Sequence, residues 1–401
     1  MNTIKKLYCR IYQFAFHAAL PLLPYREPEI FDEVEEIAVA MKKQGLGRGL
    51  LITDEFLKKS GATSSLEKTM DNMGLKCFVF NKTRPNPTVD NVEEALETYK
   101  RNSCNCLIAF GGGSAIDCAK AVGARVVYPK RKLSSLKGNL RIFRKIPPLF
   151  VVPTTAGTGS EVTVTAVITD DKKKHKYTMN SFPLIPRYAV HDPVVTYTLP
   201  KHLTSTTGMD ALTHAVEAYI GRSTSKEIRQ LAKEAVKLIF ENIETAYNEP
   251  NNYTARANML KASYKAGIAF SKSYVGYGHA VAHSLGGQYN IPHGLANSVI
   301  LPVILEEYGK TVYKKLYELA IYANVARKQD DFKTGASKFI EKIKILNKNM
   351  GIPEKLQGIK KEDICIMAKH ADKEGNPLYP VPMLMNAKEL EKIYYKVGEI
   401  L

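Results

Sequence analysis

The chain has 401 residues, which is enough for one large domain or two ordinary domains with buried cores. Hydrophobic residues make up 45% of it and charged residues 24%, a balance typical of globular proteins. The formal net charge of +17 suggests nucleic-acid binding, but the Lys and Arg residues are scattered and basic runs such as residues 171–176 are short, so the charge pattern argues against it.

The cysteines argue against a disulfide framework and against a thiolate metal clip, because no two of them form a CxxC pair. The six are Cys9, Cys77, Cys104, Cys106, Cys118 and Cys365. Small buried thiols in a reducing compartment are the simplest interpretation, so we expect a cytoplasmic protein.

Residues 1–27 are predicted to be an amphipathic extension that contains a helix. Its apolar side consists of Ile4, Leu7, Tyr8, Ile11, Phe14 and Ala18, and its polar side of Lys6, Arg10, Gln13 and His17. The apolar stretch at 11–24 is too short to span a membrane, and no small-residue cleavage site follows it. We expect the helix to pack on its own protein or on a second subunit, with contact to a membrane surface as the alternative.

Residues 28–197 alternate short apolar runs with helical patterns. Strands are predicted at 49–54, 76–81, 106–113, 148–154 and 162–170, and helices at 32–45 and 89–102. This alternation predicts an α/β domain, Rossmann-like, with a mostly parallel sheet.

The pattern changes after residues 191–200, "HDPVVTYTLP", which we predict to be a short extended stretch between two prolines. Amphipathic helices are predicted at 226–248, 254–271 and 312–326. We therefore place a domain boundary at 197 and predict that residues 198–401 form an all-α domain.

"GGGSAID", residues 111–117, follows a predicted strand and opens a helix. Glycines let the backbone approach a ligand, and Ser114 can cap the helix, whose N-terminus attracts phosphate. However, Ile116 stands where the dinucleotide fingerprint has its third glycine. A tight turn without any ligand explains this motif equally well.

Two further loops strengthen the case for a nucleotide. "PTTAGTGSE", residues 153–161, is rich in small hydroxyl residues after another predicted strand, although a plain turn with Thr158 and Glu161 as a capping box is the alternative. Asp54 ends the first predicted strand, where a carboxylate suits ribose hydroxyls and repels a 2′-phosphate. Because ligands of α/β sheets bind at the carboxyl ends of strands, the three loops predict a nucleotide site that favours NAD over NADP.

The second half contains candidate metal ligands. Asp210 and His214 are four residues apart on a predicted helix, as are His279 and His283. His293 and Glu217 complete a set of six candidates. Carboxylate and imidazole ligands suit Fe²⁺, Zn²⁺ and Mn²⁺, but spacing alone does not decide which histidine is spare.

From residue 28 to its end, the chain resembles the iron-containing (group III) alcohol dehydrogenase family. The motifs occur in the order of the family: "GGGSAIDCAKAVG", "PTTAGTGSEVT", "HDP", "TGMDALTHAVEAY" and "GHAVAHSLGGQYNIPHGLANSVILP". The resemblance implies a fold similar to that of dehydroquinate synthase, with a nucleotide-binding α/β domain, a helical domain and the active site in the cleft between them.

The resemblance also implies roles for individual residues. The metal ligands would be Asp210, His214, His279 and His293, and His283 would lie near the nicotinamide as the catalytic residue. The nucleotide-binding positions would be Asp54, Asn86, Gly112, Gly113, Ser114, Asp117, Thr154, Thr155, Thr158 and Lys176.

The implied function is hydride transfer between NAD(P) and a primary alcohol or aldehyde, with Fe²⁺ expected and Zn²⁺ or Mn²⁺ compatible. We expect a small-molecule substrate, no nucleic-acid partner and a homo-oligomer, a dimer. Two alternatives stay open: an NAD-using carbon–oxygen lyase or cyclase of the same fold, and a non-enzymatic basic binding protein that acts through its N-terminal helix. The sequence does not identify the substrate.

Overall fold

The structure, a computed structural model, describes residues 1–19, 23–171 and 175–401. Residues 20–22 of the predicted extension and 172–174 of the basic run lie outside the described residues. The chain divides into two compact units. The α/β unit is Pro24–Leu199, and the helical unit combines Met1–Leu23 with Pro200–Leu401.

A parallel sheet forms the centre of the α/β unit. The strands of this unit are β1 (Glu29–Phe31), β2 (Arg48–Ile52), β3 (Lys76–Phe80), β4 (Cys106–Gly111), β5 (Gly138–Asn139), β6 (Leu149–Pro153), β7 (Thr165–Asp170), β8 (His175–Asn180) and β9 (Tyr188–Val190). Six of them form the sheet, in the order β1-β9-β6-β4-β2-β3, and every neighbouring pair is parallel. The other three form a smaller sheet in the order β5-β8-β7.

Both faces of the central sheet are buried. Along β4, Leu107 and Ala109 enter one apolar core, whereas Ile108 and Phe110 enter the other. Strands buried on both faces have continuous apolar sequences, which is why β2, β4 and β6 were predictable. The prediction of a mostly parallel α/β sheet is confirmed.

The helices around this sheet include the two that were predicted. After α1 (Thr3–Ala19), which belongs to the other unit, they are α2 (Glu36–Lys43), α3 (Glu55–Lys59), α4 (Ser64–Asn72), α5 (Val89–Arg101) and α6 (Gly113–Val127). Short 3-10 helices lie at Leu133–Leu136, Ser160–Val162 and Phe182–Leu184.

The predicted extended stretch at 191–200 is wrong in its middle, where Pro193–Thr196 forms a 3-10 helix. The side chain of Asp192 accepts a hydrogen bond from the Val194 N–H, 2.9 Å away, and proline at the first helical position needs no N–H partner. The prolines that suggested an extended segment therefore begin a helical turn.

Helices dominate the other unit. They are α7 (Lys201–Ile220), α8 (Lys226–Asn248), α9 (Tyr253–Ser273), α10 (Tyr277–Tyr289), α11 (His293–Tyr308), α12 (Tyr313–Tyr322), α13 (Phe332–Asn349), α14 (Lys361–Gly375) and α15 (Ala387–Val397), with a 3-10 turn at Gly309–Thr311. The predicted helices correspond to α8, α9 and α12. The sequence did not predict the short parallel pair of β10 (Leu356–Ile359) and β11 (Gly398–Ile400).

The amphipathic helix α1 packs on the helical unit through its polar side. Cys9 and Gln13 are buried, whereas large apolar residues are exposed on the opposite side. The exposed residues are Ile4, Leu7, Tyr8, Ile11 and Phe14. Among the described helices, none combines the length and the apolar character that crossing a bilayer requires.

Candidate active site

Three helices of the helical unit bring four predicted metal ligands together. Helix α7 carries Asp210 and His214, α10 carries His279, and α11 begins at His293 directly after Pro292. One potential ligand atom of each residue lies within 4.8 Å of those of the other three. Asp210, His214 and His279 are buried, and His293 is partly exposed.

The charges in this group of four suit a divalent cation. Burial would raise the pKa of the Asp210 carboxyl, but the three histidines and a hydrogen bond from Asn297 (2.7 Å) hold that pKa below its ordinary value. Burial lowers the pKa of His279 to about 4, so its imidazole is neutral at neutral pH. Within the described residues, no hydrogen bond reaches Nε2 of His279. An anionic carboxylate beside the neutral imidazole of His279 is the protonation state that metal ligation requires.

Glu217, the sixth candidate from the sequence, lies behind His279 and outside the group of four. Its Oε2 is 2.6 Å from His279 Nδ1. The same carboxylate accepts hydrogen bonds from the N–H groups of Gly276 (2.7 Å) and Gly278 (2.8 Å). Because both oxygens already accept backbone hydrogen bonds, we assign the proton of the remaining contact to Nδ1. Nε2 of His279 then carries the lone pair that a metal needs.

His283 lies one helical turn after His279 and is not part of the group of four. Its Nδ1 is 2.6 Å from Oε1 of Glu374, and the Tyr379 hydroxyl donates to the same oxygen at 2.7 Å. Its ring stacks on that of His293 at a centroid distance of 5.1 Å. The structure thus groups His279 with Asp210, His214 and His293 and leaves His283 outside, while the ligand assignment and the role of His283 stay predictions.

Sequence analysis missed Glu374 and Tyr379. Glu374 is 91 residues from His283 and lies in the charged sequence "HADKEG", where a single carboxylate gives no pattern. The nearest signal is the proline-rich stretch "NPLYPVP" that follows it, which breaks the helical pattern.

In the α/β unit, the predicted nucleotide loops follow neighbouring strands. Asp54 comes after β2, Gly112 after β4 and Thr154 after β6, and these strands are adjacent in the sheet. A Cβ atom added at Gly112 would lie 3.1 Å from Cγ2 of Thr155. One added at Gly113 would lie 2.9 Å from Cγ2 of Thr158. The glycine loop and the threonine loop therefore touch, and their contact leaves no room for larger residues.

Two local expectations about these loops are wrong. Ser114 does not cap α6, because the helix begins after Gly112 without a side-chain cap. Instead, Ser114 Oγ accepts from the N–H of Asn86 (3.3 Å), whose backbone is left-handed at φ 57°. The alternative capping box at Thr158 is also wrong, because left-handed Gly159 precedes the 3-10 helix there.

The other predicted nucleotide residues have structural contacts of their own. Asp54 caps α3 by accepting from the Leu57 N–H at 2.8 Å. Asp117 Oδ2 accepts from the Val167 N–H at 3.0 Å, whereas Oδ1 has no hydrogen-bond partner in the described ranges. Lys176 lies on β8, in the smaller sheet, opposite Thr169.

Comparison with known proteins agrees with the motifs. The family model "Iron-containing alcohol dehydrogenase" matches residues 30–193, and "Fe-containing alcohol dehydrogenase family, C-terminal" matches residues 204–398. A 1,3-propanediol dehydrogenase of Citrobacter freundii is 36% identical over 363 residues, which cover 88% of this chain and 92% of that protein.

Solved structures of the same fold agree as well. The crystal structure of a 1,3-propanediol oxidoreductase matches with a TM-score of 0.89 and 33% identity, over 93% of this chain and 98% of that one. A sulfoacetaldehyde reductase from Bifidobacterium kashiwanohense, solved in complex with NAD⁺, matches with a TM-score of 0.85 and 28% identity, over 94% and 98%. The chain therefore belongs to the iron-containing alcohol dehydrogenase family and is an oxidoreductase, as its motifs predicted.

Proposed function

We propose that Asp210, His214, His279 and His293 hold a divalent metal and that the protein catalyses hydride transfer between NAD⁺ and a small primary alcohol, and the reverse reaction with the aldehyde. The observation that carries this proposal is the approach of four ligand atoms to within 4.8 Å of one another, in a group of which three residues are buried and whose charge suits a cation. A cation held there supplies Lewis-acid polarisation of the substrate oxygen. The group contains a hard carboxylate and no thiolate, which favours Fe²⁺, with Zn²⁺ and Mn²⁺ as alternatives.

The nucleotide site that we propose is centred on the loops after β2, β4 and β6 and also includes Asn86, which follows β3, and Lys176, on β8. The uncapped N-terminus of α6 offers backbone N–H groups to phosphate. The proposed set is Asp54, Asn86, Gly112, Gly113, Ser114, Asp117, Thr154, Thr155, Thr158 and Lys176. The carboxylate of Asp54 disfavours a 2′-phosphate, which favours NAD over NADP, and the sulfoacetaldehyde reductase relative was solved with NAD⁺.

His283 is the residue that we propose beside the nicotinamide. It lies one turn from a proposed metal ligand and outside the metal group, and Glu374 holds its ring by Nδ1. A ring held in this way can order the nicotinamide or pass on the proton of the alcohol. We therefore assign His283 as the catalytic residue of this site.

The setting of the enzyme is also a proposal. All six cysteines are described and none is disulfide-bonded, which supports a cytoplasmic protein.

The exposed apolar side of α1 supports a homo-oligomer, a dimer, because a second copy would cover it. Light scattering of the purified protein tests this, and a monomer that binds lipid vesicles through α1 would contradict it.

Metal analysis of four variants tests the ligand assignment. We expect Asp210→Ala and His293→Ala to lose the metal and NADH formation, and His283→Ala to keep the metal while losing activity. His202→Ala is the matched control, because His202 is an exposed residue of α7, the helix that carries Asp210 and His214. Loss of metal from His283→Ala, or its retention in Asp210→Ala, would contradict the assignment.

Alcohol turnover with net NADH formation also separates a dehydrogenase from a lyase or cyclase, which returns its NAD unchanged.

A further inference from the structure

The segment Pro377–Pro382 has the sequence "PLYPVP" and cannot satisfy all of its own backbone, although the Tyr379 carbonyl accepts from the Val381 N–H at 2.8 Å. Its three prolines lack N–H groups, so regular pairing along the segment is impossible. Buried carbonyl groups in such a segment need donors from elsewhere. The segment adjoins Glu374, the partner of His283.

Helix α1 supplies donors to four of these carbonyl groups, while that of Pro380 accepts from the Arg222 N–H at 2.7 Å. The buried Gln13 donates through Nε2 to the carbonyls of Pro377 (3.1 Å) and Tyr379 (2.7 Å). Arg10 donates to the carbonyls of Val381 (2.8 Å) and Pro382 (3.0 Å), and also to Oε1 of Gln13 (2.7 Å). Two side chains of α1 thus hold four carbonyl groups of one segment.

An aromatic contact supports the same segment. The ring of Phe16, on α1, packs edge-on against Tyr274 at a centroid distance of 4.9 Å. Tyr274 in turn lies 6.2 Å from the ring of Tyr379. Tyr379 is therefore held through its backbone by Gln13 and through its ring by the Tyr274 contact.

From Tyr379, two short hydrogen bonds lead to the active site. Its hydroxyl donates to Oε1 of Glu374 at 2.7 Å, and the same oxygen is 2.6 Å from Nδ1 of His283. The path from Gln13 to His283 therefore has three links, each a hydrogen bond of ordinary length. The large apolar residues of α1, such as Ile11 and Phe14, are exposed and take no part in it.

We propose that α1 is a positioning element of the active site: through Gln13 and Arg10 it fixes the Pro377–Pro382 segment, and through Tyr379 and Glu374 it fixes the ring of His283. This inference rests on the proposed function, because it takes His283 as the residue beside the nicotinamide. The two family models begin after this helix, at residues 30 and 204. Helix α1 therefore lies outside the part of the chain that the models match, but it supports a site inside that part. Gln13, Arg10, Tyr379 and Glu374 are positioning residues, since they act through His283.

The test compares Gln13→Leu and Tyr379→Phe with Phe14→Ser, a control on the exposed side of the same helix. We expect kcat to fall about tenfold in the first two variants, because a small displacement of a reacting group costs that much or more. KM for NAD⁺ and the metal content should stay near those of the wild type. Hydrogen exchange of the amides in 374–384 should become faster in Gln13→Leu and not in Phe14→Ser.

The double variant Gln13→Leu/Tyr379→Phe tests the path itself. If α1 acts through Tyr379, the double variant should lose no more than the larger single loss, whereas independent effects multiply. Multiplying effects, or unchanged kcat and exchange in Gln13→Leu, would overturn the inference. Should Gln13→Leu fail to fold, Arg10→Gln tests by the same criteria whether α1 holds the segment, because Arg10 donates to the carbonyls of Val381 and Pro382 and to Oε1 of Gln13. If the wild type forms no NADH at all, the proposed function fails, and the exchange measurement still decides whether α1 holds the segment.

Discussion

Glu217 controls which nitrogen of His279 faces the proposed metal. Its carboxylate is buried, fixed by two backbone N–H groups and 2.6 Å from Nδ1. Burial raises the pKa of Glu217 to about 7, against the effect of those N–H groups. The arrangement is a carboxylate–histidine pair, which orients a ligand and increases its basicity.

Substitution of Glu217 by Gln should therefore weaken the metal site without removing a ligand. The amide would place an N–H₂ group against the N–H of Gly276 or Gly278, and it would lose the negative charge behind His279. We expect metal affinity to fall roughly 10- to 100-fold, as measured by titration of the metal-free protein. Glu241→Gln, on the exposed side of α8, serves as the control. Unchanged affinity in Glu217→Gln would contradict this role.

Lys120 lies in the α/β unit, and its charged side chain is fully buried. Its ammonium group donates to Thr163 O, Thr163 Oγ1 and Thr165 O, each at 2.8 Å. Burial lowers the pKa of Lys120 to about 8, and the nearby carboxyl groups of Asp117 and Glu161 oppose that change. The cation thus joins α6 to the start of β7.

We expect Lys120→Met to lower the free energy of unfolding by about 3–5 kcal/mol, because it leaves the buried oxygens of Thr163 and Thr165 without a donor and removes the positive charge near the buried carboxyl groups of Asp117 and Glu161. Urea denaturation measures this loss. Lys100→Met, at an exposed position of α5, should change the stability little. A loss below about 1 kcal/mol in Lys120→Met, the range of a surface charge, would refute the argument.

At the scale of elements, two loops at strand ends pack so closely that the proposed nucleotide site should depend on glycine. Gly113→Ala would place its Cβ 2.9 Å from Thr158 Cγ2, so the side chain of Thr158, in the threonine loop, would have to shift. We expect KM for NAD⁺ to rise about tenfold while the metal content stays unchanged.

Gly47→Ala is the control for that substitution, because a Cβ at Gly47 meets nothing within 4 Å. Steady-state kinetics with NAD⁺ as the varied substrate distinguishes the two. An unchanged KM in Gly113→Ala would mean that the two loops do not form the cofactor site.

Some elements were predictable because their physical signal is local. Strands β2, β4 and β6 are continuous apolar runs, and α8 and α9 repeat apolar residues at helical spacing. Strands β1 and β9 have three residues each, too few for any pattern. Their pairing with each other depends on residues more than 150 positions apart, which local patterns do not contain.

The site shows the same limit at the scale of single residues. Asp210 and His214 were found because helical spacing puts them on one face. Glu374 was missed, and the contact of Gln13 was not foreseen, because their partners, His283 and the Pro377–Pro382 carbonyls, are distant in sequence. In α1, the amphipathic pattern identified the two sides but did not predict that the polar side is buried. That side is buried because Arg10 and Gln13 donate hydrogen bonds to carbonyl groups of the proline-rich segment Pro377–Pro382.

At the scale of the whole molecule, the two units divide the proposed chemistry between them. Every residue of the proposed nucleotide set lies in the α/β unit, whereas the proposed metal ligands and His283 lie in the helical unit. The two sites should therefore lose their ligands independently. Removal of the metal should abolish turnover while NAD⁺ binding to the α/β unit remains.

The most direct test of the account is NADH formation from small primary alcohols by full-length protein purified without oxygen, before and after a chelator removes its metal. We predict that the metal-free protein still binds NAD⁺ but forms no NADH, and that adding Fe²⁺ restores turnover. Full activity in protein shown to contain no metal would contradict the central claim that Asp210, His214, His279 and His293 hold the ion on which the reaction depends.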